Sequence, residues 1–224
     1  MVGASNLAGD LIAHAFLWQG GKLEDLGTLG GDTSFPGSIS DSGDIVGKAD
    51  LPCPAPQEQN SPCPSHEDHH AILWRNARKI DLGVLPGDSC SRAYYVNSSG
   101  AVVGNSESED ICDISGEHAF LWERGGPMID LNSLIPTGST LQLTHAFVIT
   151  DSGEIAGLGV PPGCDPTLDF VCGHAYILVP CDAAEPNSCC EEIVAGAPTT
   201  MIQLPHDTQR RAAMPTNQVQ PTPR

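Results

Sequence analysis

His14-Ala15-Phe16-Leu17-Trp18 returns as His70-Ala71-Ile72-Leu73-Trp74, as His118-Ala119-Phe120-Leu121-Trp122 and as His174-Ala175-Tyr176-Ile177-Leu178, at intervals of 56, 48 and 56 residues. Self-similarity at such a period marks a repeat architecture, in which each unit buries its apolar face on a neighbour. Alternation along the string puts His, Phe and Trp on one side of a strand and Ala and Leu on the other. Both sides are apolar, as a sheet packed between two other sheets requires.

Two further strings keep a fixed order around it. Asp25-Leu26-Gly27-Thr28-Leu29-Gly30-Gly31-Asp32, Asp81-Leu82-Gly83-Val84-Leu85-Pro86-Gly87-Asp88 and the weaker Asp130-Leu131-Asn132-Ser133-Leu134 follow it. Ile39-Ser40-Asp41-Ser42-Gly43-Asp44-Ile45-Val46-Gly47, Val96–Gly104 and Ile149–Gly157 precede it. Each of the latter reads as a hairpin, because Asp, Asn and Ser bond back to nearby backbone in a turn and Gly accepts positive φ, while the flanking Ile and Val favour strands. The count is four strands per repeat, the measure of a propeller blade. The sequence therefore predicts an all-β repeat protein, a β-propeller or partial propeller with four-stranded blades, the alternative being an open β-repeat array. It holds strands two to four of a first blade, two whole blades, and strands one to three of a fourth.

The composition agrees. Glycine (24) and proline (19) outweigh the aromatics, with five Phe, three Tyr and three Trp, which describes many short elements joined by turns. Residues 1–180 form the predicted repeat domain, residues 181–196 a Cys-rich cap and residues 197–224 a disordered tail containing Pro198, Pro205, Pro215, Pro221 and Pro223. Met1-Val2-Gly3-Ala4-Ser5 aligns with Ile45-Val46-Gly47-Lys48-Ala49, so the chain starts inside a repeat, and the expectation is that an export signal has been lost upstream.

Residues 1–196 carry 7 basic and 27 acidic side chains. Such a surface repels phosphate backbones and anionic headgroups, which disfavours nucleic acid and anionic membrane surfaces as partners and leaves cations, basic proteins and neutral glycans. No stretch is long and apolar enough for a membrane span. The nine cysteines lack the paired C-x2-C spacing of zinc knuckles and are read as disulfides of an oxidising compartment, extracellular or cell-surface. Candidate pairs are Cys53 with Cys63, Cys90 with Cys112, Cys164 with Cys172, and Cys181 with Cys189 or Cys190. Three inserted loops, 50–69, 105–117 and 158–173, occupy the same place in their repeats and mark one interaction face.

The strings at residues 14–18, 25–31 and 42–47 resemble the bacterial extracellular repeat family named for its His-Ala-Phe (HAF) motif, and the likeness extends over about residues 1–180. The resemblance implies export and a β-repeat fold; that family carries no established activity, so no functional residue transfers. The chain departs from the pattern at Tyr176 and Leu178 and at the Asn132-Ser133 break.

Candidate chemistry is sparse. His66-Glu67-Asp68-His69-His70 matches H-E-x-x-H, a zinc pattern that needs a helix to bring both histidines to one face. Here prolines precede it and His70 opens a repeat strand, so His66, Glu67 and His70 are weak metal candidates and no catalytic residue is assigned. The recurrent His14, His70, His118 and His174 read as structural rather than as a ring of ligands, and Asp25, Asp81 and Asp130 as turn caps. Asp41 with Asp44, or Glu107, Glu109, Asp110 and Asp113, are the carboxylates that would hold calcium, although no Asp-x-Asp-x-Asp-Gly loop is present. No other cofactor is implied. The expected function is a non-catalytic binding or surface-scaffold module for an unknown protein or glycan; the competing expectation is a secreted carbohydrate-active hydrolase or lyase with a channel site.

Overall fold

The computed structural model describes residues 1–7, 12–52, 69–107, 118–136, 138–164, 169–180 and 199–204. The described chain is all-β, built as four sheets in chain order. The first holds β1 (Val2–Asn6), β2 (Ala13–Gln19) and β3 (Lys22–Asp25). The second holds β4 (Ser34–Ile39), β5 (Ile45–Asp50), β6 (His69–Arg75) and β7 (Arg78–Gly83). The third holds β8 (Cys90–Val96), β9 (Val102–Glu107), β10 (His118–Trp122) and β11 (Met128–Asp130). The fourth holds β12 (Gln142–Ile149), β13 (Ile155–Val160), β14 (His174–Pro180) and β15 (Thr199–Leu204).

The first three sheets are antiparallel meanders throughout and the fourth is one up to its last strand, and the strand content follows the sequence count: three strands, four, four, and three plus one. The extra strand corrects an expectation. Residues 197–224 read as disordered, yet Thr199–Leu204 lies parallel to β14, from Ala175↔Thr199 to Pro180↔Leu204. The local sequence Thr-Thr-Met-Ile-Gln-Leu contains β-branched residues suited to pairing, although prolines flank it at 198 and 205. The remaining helical content among the described residues is one turn, Asp169–Cys172, and a 3-10 turn, Leu131–Ser133.

The three Ser-Gly strings close the predicted hairpins in one way. In each, the first turn residue (Ser40, Asn97, Thr150) donates its N–H to the residue four on, and the Gly N–H donates back to it. Gly43, Gly100 and Gly153 take φ of 83°, 84° and 93°, the left-handed residue that ends such a three-residue loop.

The sheets pack face to face, the first strand of each lying across the middle of the sheet before it. Three cores result. Ala15 and Leu17 of the first sheet lie with Ile72 and Trp74 of the second. Ala71 and Leu73 lie with Phe120 and Trp122 of the third. Ala119 and Leu121 lie with Tyr176 and Leu178 of the fourth. The alternation read from the His-Ala-Phe-Leu-Trp string is thus what stacks the sheets: small and γ-branched residues forward, large residues backward.

Glycine opposite the aromatic completes the fit. Gly3, Gly104 and Gly157 stand directly across from Phe16, Phe120 and Tyr176. A Cβ on Gly47, Gly104 or Gly157 would also collide with the carbonyl oxygen of Phe35, Arg92 or His145 on the neighbouring strand. Close approach, not left-handed backbone, demands glycine there.

Candidate functional site

In the first three repeats the recurring His and Asp residues are consumed by architecture. His14 Nδ1 donates to the Asp25 carboxylate at 2.9–3.0 Å, and His70 Nδ1 donates to Asp81 at 2.8–3.0 Å. The same aspartates accept the N–H of Gly27 and Gly83, both at 2.8 Å. Partial burial works against charge on Asp25 and Asp81, but the histidine hydrogen bond and the glycine N–H outweigh it and hold both carboxyls below the usual aspartate range. In the third repeat the pattern shifts: His118 turns to Asp88 at 3.2 Å. Asp130 instead caps the 3-10 turn through Asn132 N–H at 2.8 Å.

Sequence reading missed the hook between sheets. Ser34 Oγ accepts from Ala15 N–H and donates to the Gly27 carbonyl, at 3.0 and 2.9 Å. Ser91 Oγ does the same with Ala71 and Gly83, at 2.8 and 2.5 Å. Each serine bolts the first strand of one sheet to the His-Ala-Phe-type strand and the Asp-Leu-Gly segment of the sheet before. The signal was present, a serine five residues ahead of Ile39 and of Val96. In the next repeat that place is Thr144, which bonds within its own sheet to the Leu158 carbonyl. There the Asn132 amide takes over, accepting from Leu143 N–H at 2.7 Å and donating to its carbonyl at 2.9 Å. The Asn132 break in the motif is therefore a substitute link between sheets.

The candidate metal residues separate. His70 lies on strand β6 with its Nδ1 held by Asp81, so no helix supports the H-E-x-x-H reading; His66 and Glu67 lie outside the described residues. Asp44 is engaged by Arg75, whose Nε and Nη2 donate to its two carboxylate oxygens at 2.6 and 2.5 Å. That fork occupies the carboxylate proposed to join Asp41 around calcium. Glu107 accepts from the Asn105 amide; Glu109, Asp110 and Asp113 lie outside the described residues. Among the described residues no group of three or more His, Cys, Asp or Glu side chains stands in a metal-holding arrangement.

Cys164 and Cys172 form a disulfide that closes the segment between β13 and β14. Cys90 is also disulfide-bonded; its expected partner Cys112, together with Cys53, Cys63, Cys181, Cys189 and Cys190, lies outside the described residues.

What does not repeat collects on the first two strands of successive sheets, at the ends from which the inserted loops leave. One cross-strand position is occupied by Phe35 opposite Lys48 in the second sheet, Arg92 opposite Asn105 in the third, and His145 opposite Leu158 in the fourth. Lys48 Nζ stands 5.8 Å from the Phe35 ring centroid. Burial, and then the neighbouring Arg92, pull the Lys48 amine down to about 8, against the opposing pull of Asp50 and Glu107. Asp50 and Glu107 are themselves buried, and Asp50 accepts from Thr33 N–H and Oγ1.

A β-bulge follows this position in all three sheets, the register slipping at Gly37, Tyr94 and Phe147. A bulge re-aims one side chain out of the pleat. Tyr94 and Phe147, so displaced, meet each other at 5.4 Å between ring centroids, and both flank His145, at 6.1 and 5.3 Å. The set holds two cations, Lys48 and Arg92, near the buried carboxylates of Asp50 and Glu107, and an aromatic cluster of Tyr94, His145 and Phe147.

Fold and site together define an all-β repeat protein of stacked sheets with a non-repeating set of polar and aromatic residues on the first two strands of its sheets. Comparison with known proteins finds no matching family model, no matching curated protein and no matching solved structure.

Proposed function

We propose that this chain is a non-catalytic extracellular binding or surface-scaffold module, with its sheets arranged as blades of a propeller or partial propeller. One observation carries the reading. The repeated His, Asp, Ser and Gly positions are spent on architecture, the His–Asp pairs and glycines fitting strands together within a sheet and the serines fastening one sheet to the next, which leaves the Phe35, Lys48, Arg92, Tyr94 and Phe147 set, on the first two strands of the sheets, free to differ from repeat to repeat. Exposed or half-buried aromatics next to cations and carboxylates suit the planar faces and hydroxyls of a neutral glycan. The disulfide between Cys164 and Cys172 supports an oxidising location. The HAF likeness supports the same assignment.

The test is retention of the full chain on insoluble neutral polysaccharides, cellulose, xylan and chitin, with reducing ends assayed in the supernatant. Retention on at least one, lost in a Lys48→Ala, Arg92→Ala, Tyr94→Ala triple variant, with no release of reducing ends, is the expected result. Release of reducing ends would make the chain an enzyme, and equal behaviour of the variant would move the binding surface elsewhere.

A further inference from the structure

Every internal junction in the array joins the same two half-surfaces. The forward face of one sheet offers the Ala and Leu of its His-Ala-Phe-Leu-Trp strand, and the rear face of the next offers the Phe and Trp positions. At the second sheet the rear Trp74 is 4% exposed and its Nε1 donates to the Leu26 carbonyl of the first sheet at 2.9 Å. At the third, Trp122 is 8% exposed.

The two ends of the described array carry one unmatched half each. On the rear face of the first sheet Trp18, the counterpart of Trp74 and Trp122, is 46% exposed, and Phe16 is only half-buried where Ile72 and Phe120 are fully buried. On the forward face of the fourth sheet Ala175 is exposed and Ile177 half-buried, where Ala71, Leu73 and Ala119 are fully buried. The open faces are complementary halves of an interface that the chain forms three times within itself.

We propose that this chain self-associates head to tail, the forward face of the fourth sheet of one copy seating on the rear face of the first sheet of a second copy, with Ala175 and Ile177 against Phe16 and Trp18. The occupant follows from continuity with the internal junctions, which supply its residue types, its register and its depth. The contact is heterologous, so it extends into chains of copies or closes into a ring. Burial of apolar surface drives it, while the formal charge of −18 on each copy opposes it, so association strengthens as salt rises. The inference is independent of the glycan reading.

Sedimentation velocity of the full chain over a concentration series, at low and high salt, gives the first readout, with iodide quenching of tryptophan fluorescence in parallel. Dimers or larger species at high concentration, with a quenchable tryptophan lost on association, are expected. Trp18→Glu and Ile177→Arg should each abolish assembly, whereas an equimolar mixture of the two variants should form a 1:1 dimer and stop there, since each retains the face the other lacks. Three results would overturn the proposal: a monomer with a fully quenchable Trp18 at every concentration, a monomer with Trp18 shielded throughout, which is closure within one chain, or self-association of Ile177→Arg equal to wild type. Should either variant fail to fold, the concentration dependence of Trp18 quenching in the unaltered chain decides alone.

Discussion

At the scale of single residues, repeated polar positions act as fasteners. Ser91 Oγ satisfies the buried Ala71 N–H and the Gly83 carbonyl together. Ser91→Ala therefore strands a buried donor and an acceptor, and it should cost about 2 kcal/mol, measured by the denaturant midpoint. The turn between β6 and β7 offers the opposite change. Ala77 sits at φ 59° in the two-residue hairpin, and a Cβ in that region is disfavoured by about 1 kcal/mol, so Ala77→Gly should stabilise by roughly that amount in the same measurement. The His14–Asp25 and His70–Asp81 pairs fix an acid dependence. Both carboxyls lie below the ordinary 3.8 in the folded chain, so their contribution is present above the unfolded value and is lost as pH falls through the folded one. Stability measured from pH 5 to pH 2 should fall less steeply in an Asp25→Asn, Asp81→Asn variant than in the unaltered chain.

At the scale of elements, the glycine facing each large residue and the bulge beside it belong to one device. The bulge at Tyr94 drives the Arg92 carbonyl toward Gly104, whose missing side chain also leaves room for the Phe120 ring. Gly104→Ala must push strand backbone or a core aromatic aside, and a loss of about 2–3 kcal/mol with broadened thermal unfolding is expected by calorimetry. The strands, their order, the hairpin turns and the Asp caps were legible, because each depends on local periodicity and on turn chemistry within a few residues. The serine hooks were legible in principle, as a constant offset ahead of the hairpin. The bulges were not, since a one-residue register slip depends on how two strands pair and leaves no composition of its own: Gly37, Tyr94 and Phe147 share the role and nothing else. Thr199–Leu204 was hidden for a related reason, its pairing with β14 being long-range and its prolines pointing the other way.

At the scale of the whole molecule, stability is a sum over junctions, each resting on the forward Ala and Leu and the rear large residues. Leu73 is fully buried between the second and third sheets, so Leu73→Ala should cost about 3 kcal/mol through lost burial and the cavity left behind. Because each repeat touches chiefly its neighbours, hydrogen exchange in that variant should rise most in the second and third sheets and least in the fourth; uniform loss across all four would show instead that the array unfolds as one unit.

The sequence by itself determined that the chain is all-β, how many strands each repeat supplies, which residues of the central strand share a face, and that Cys164 and Cys172 lie close enough in the chain to pair. These follow from periodicities of two and about fifty residues and from the conformational demands of Gly, Asp and Ser. Only the tertiary structure decided which partners those residues take. Asp44 went to Arg75 rather than to calcium, His118 to Asp88 rather than to Asp130, and Lys48 came to lie near Arg92 across a sheet boundary, because a charged or hydrogen-bonding group answers to whatever the packed chain brings within a few ångströms of it, whatever its distance along the sequence.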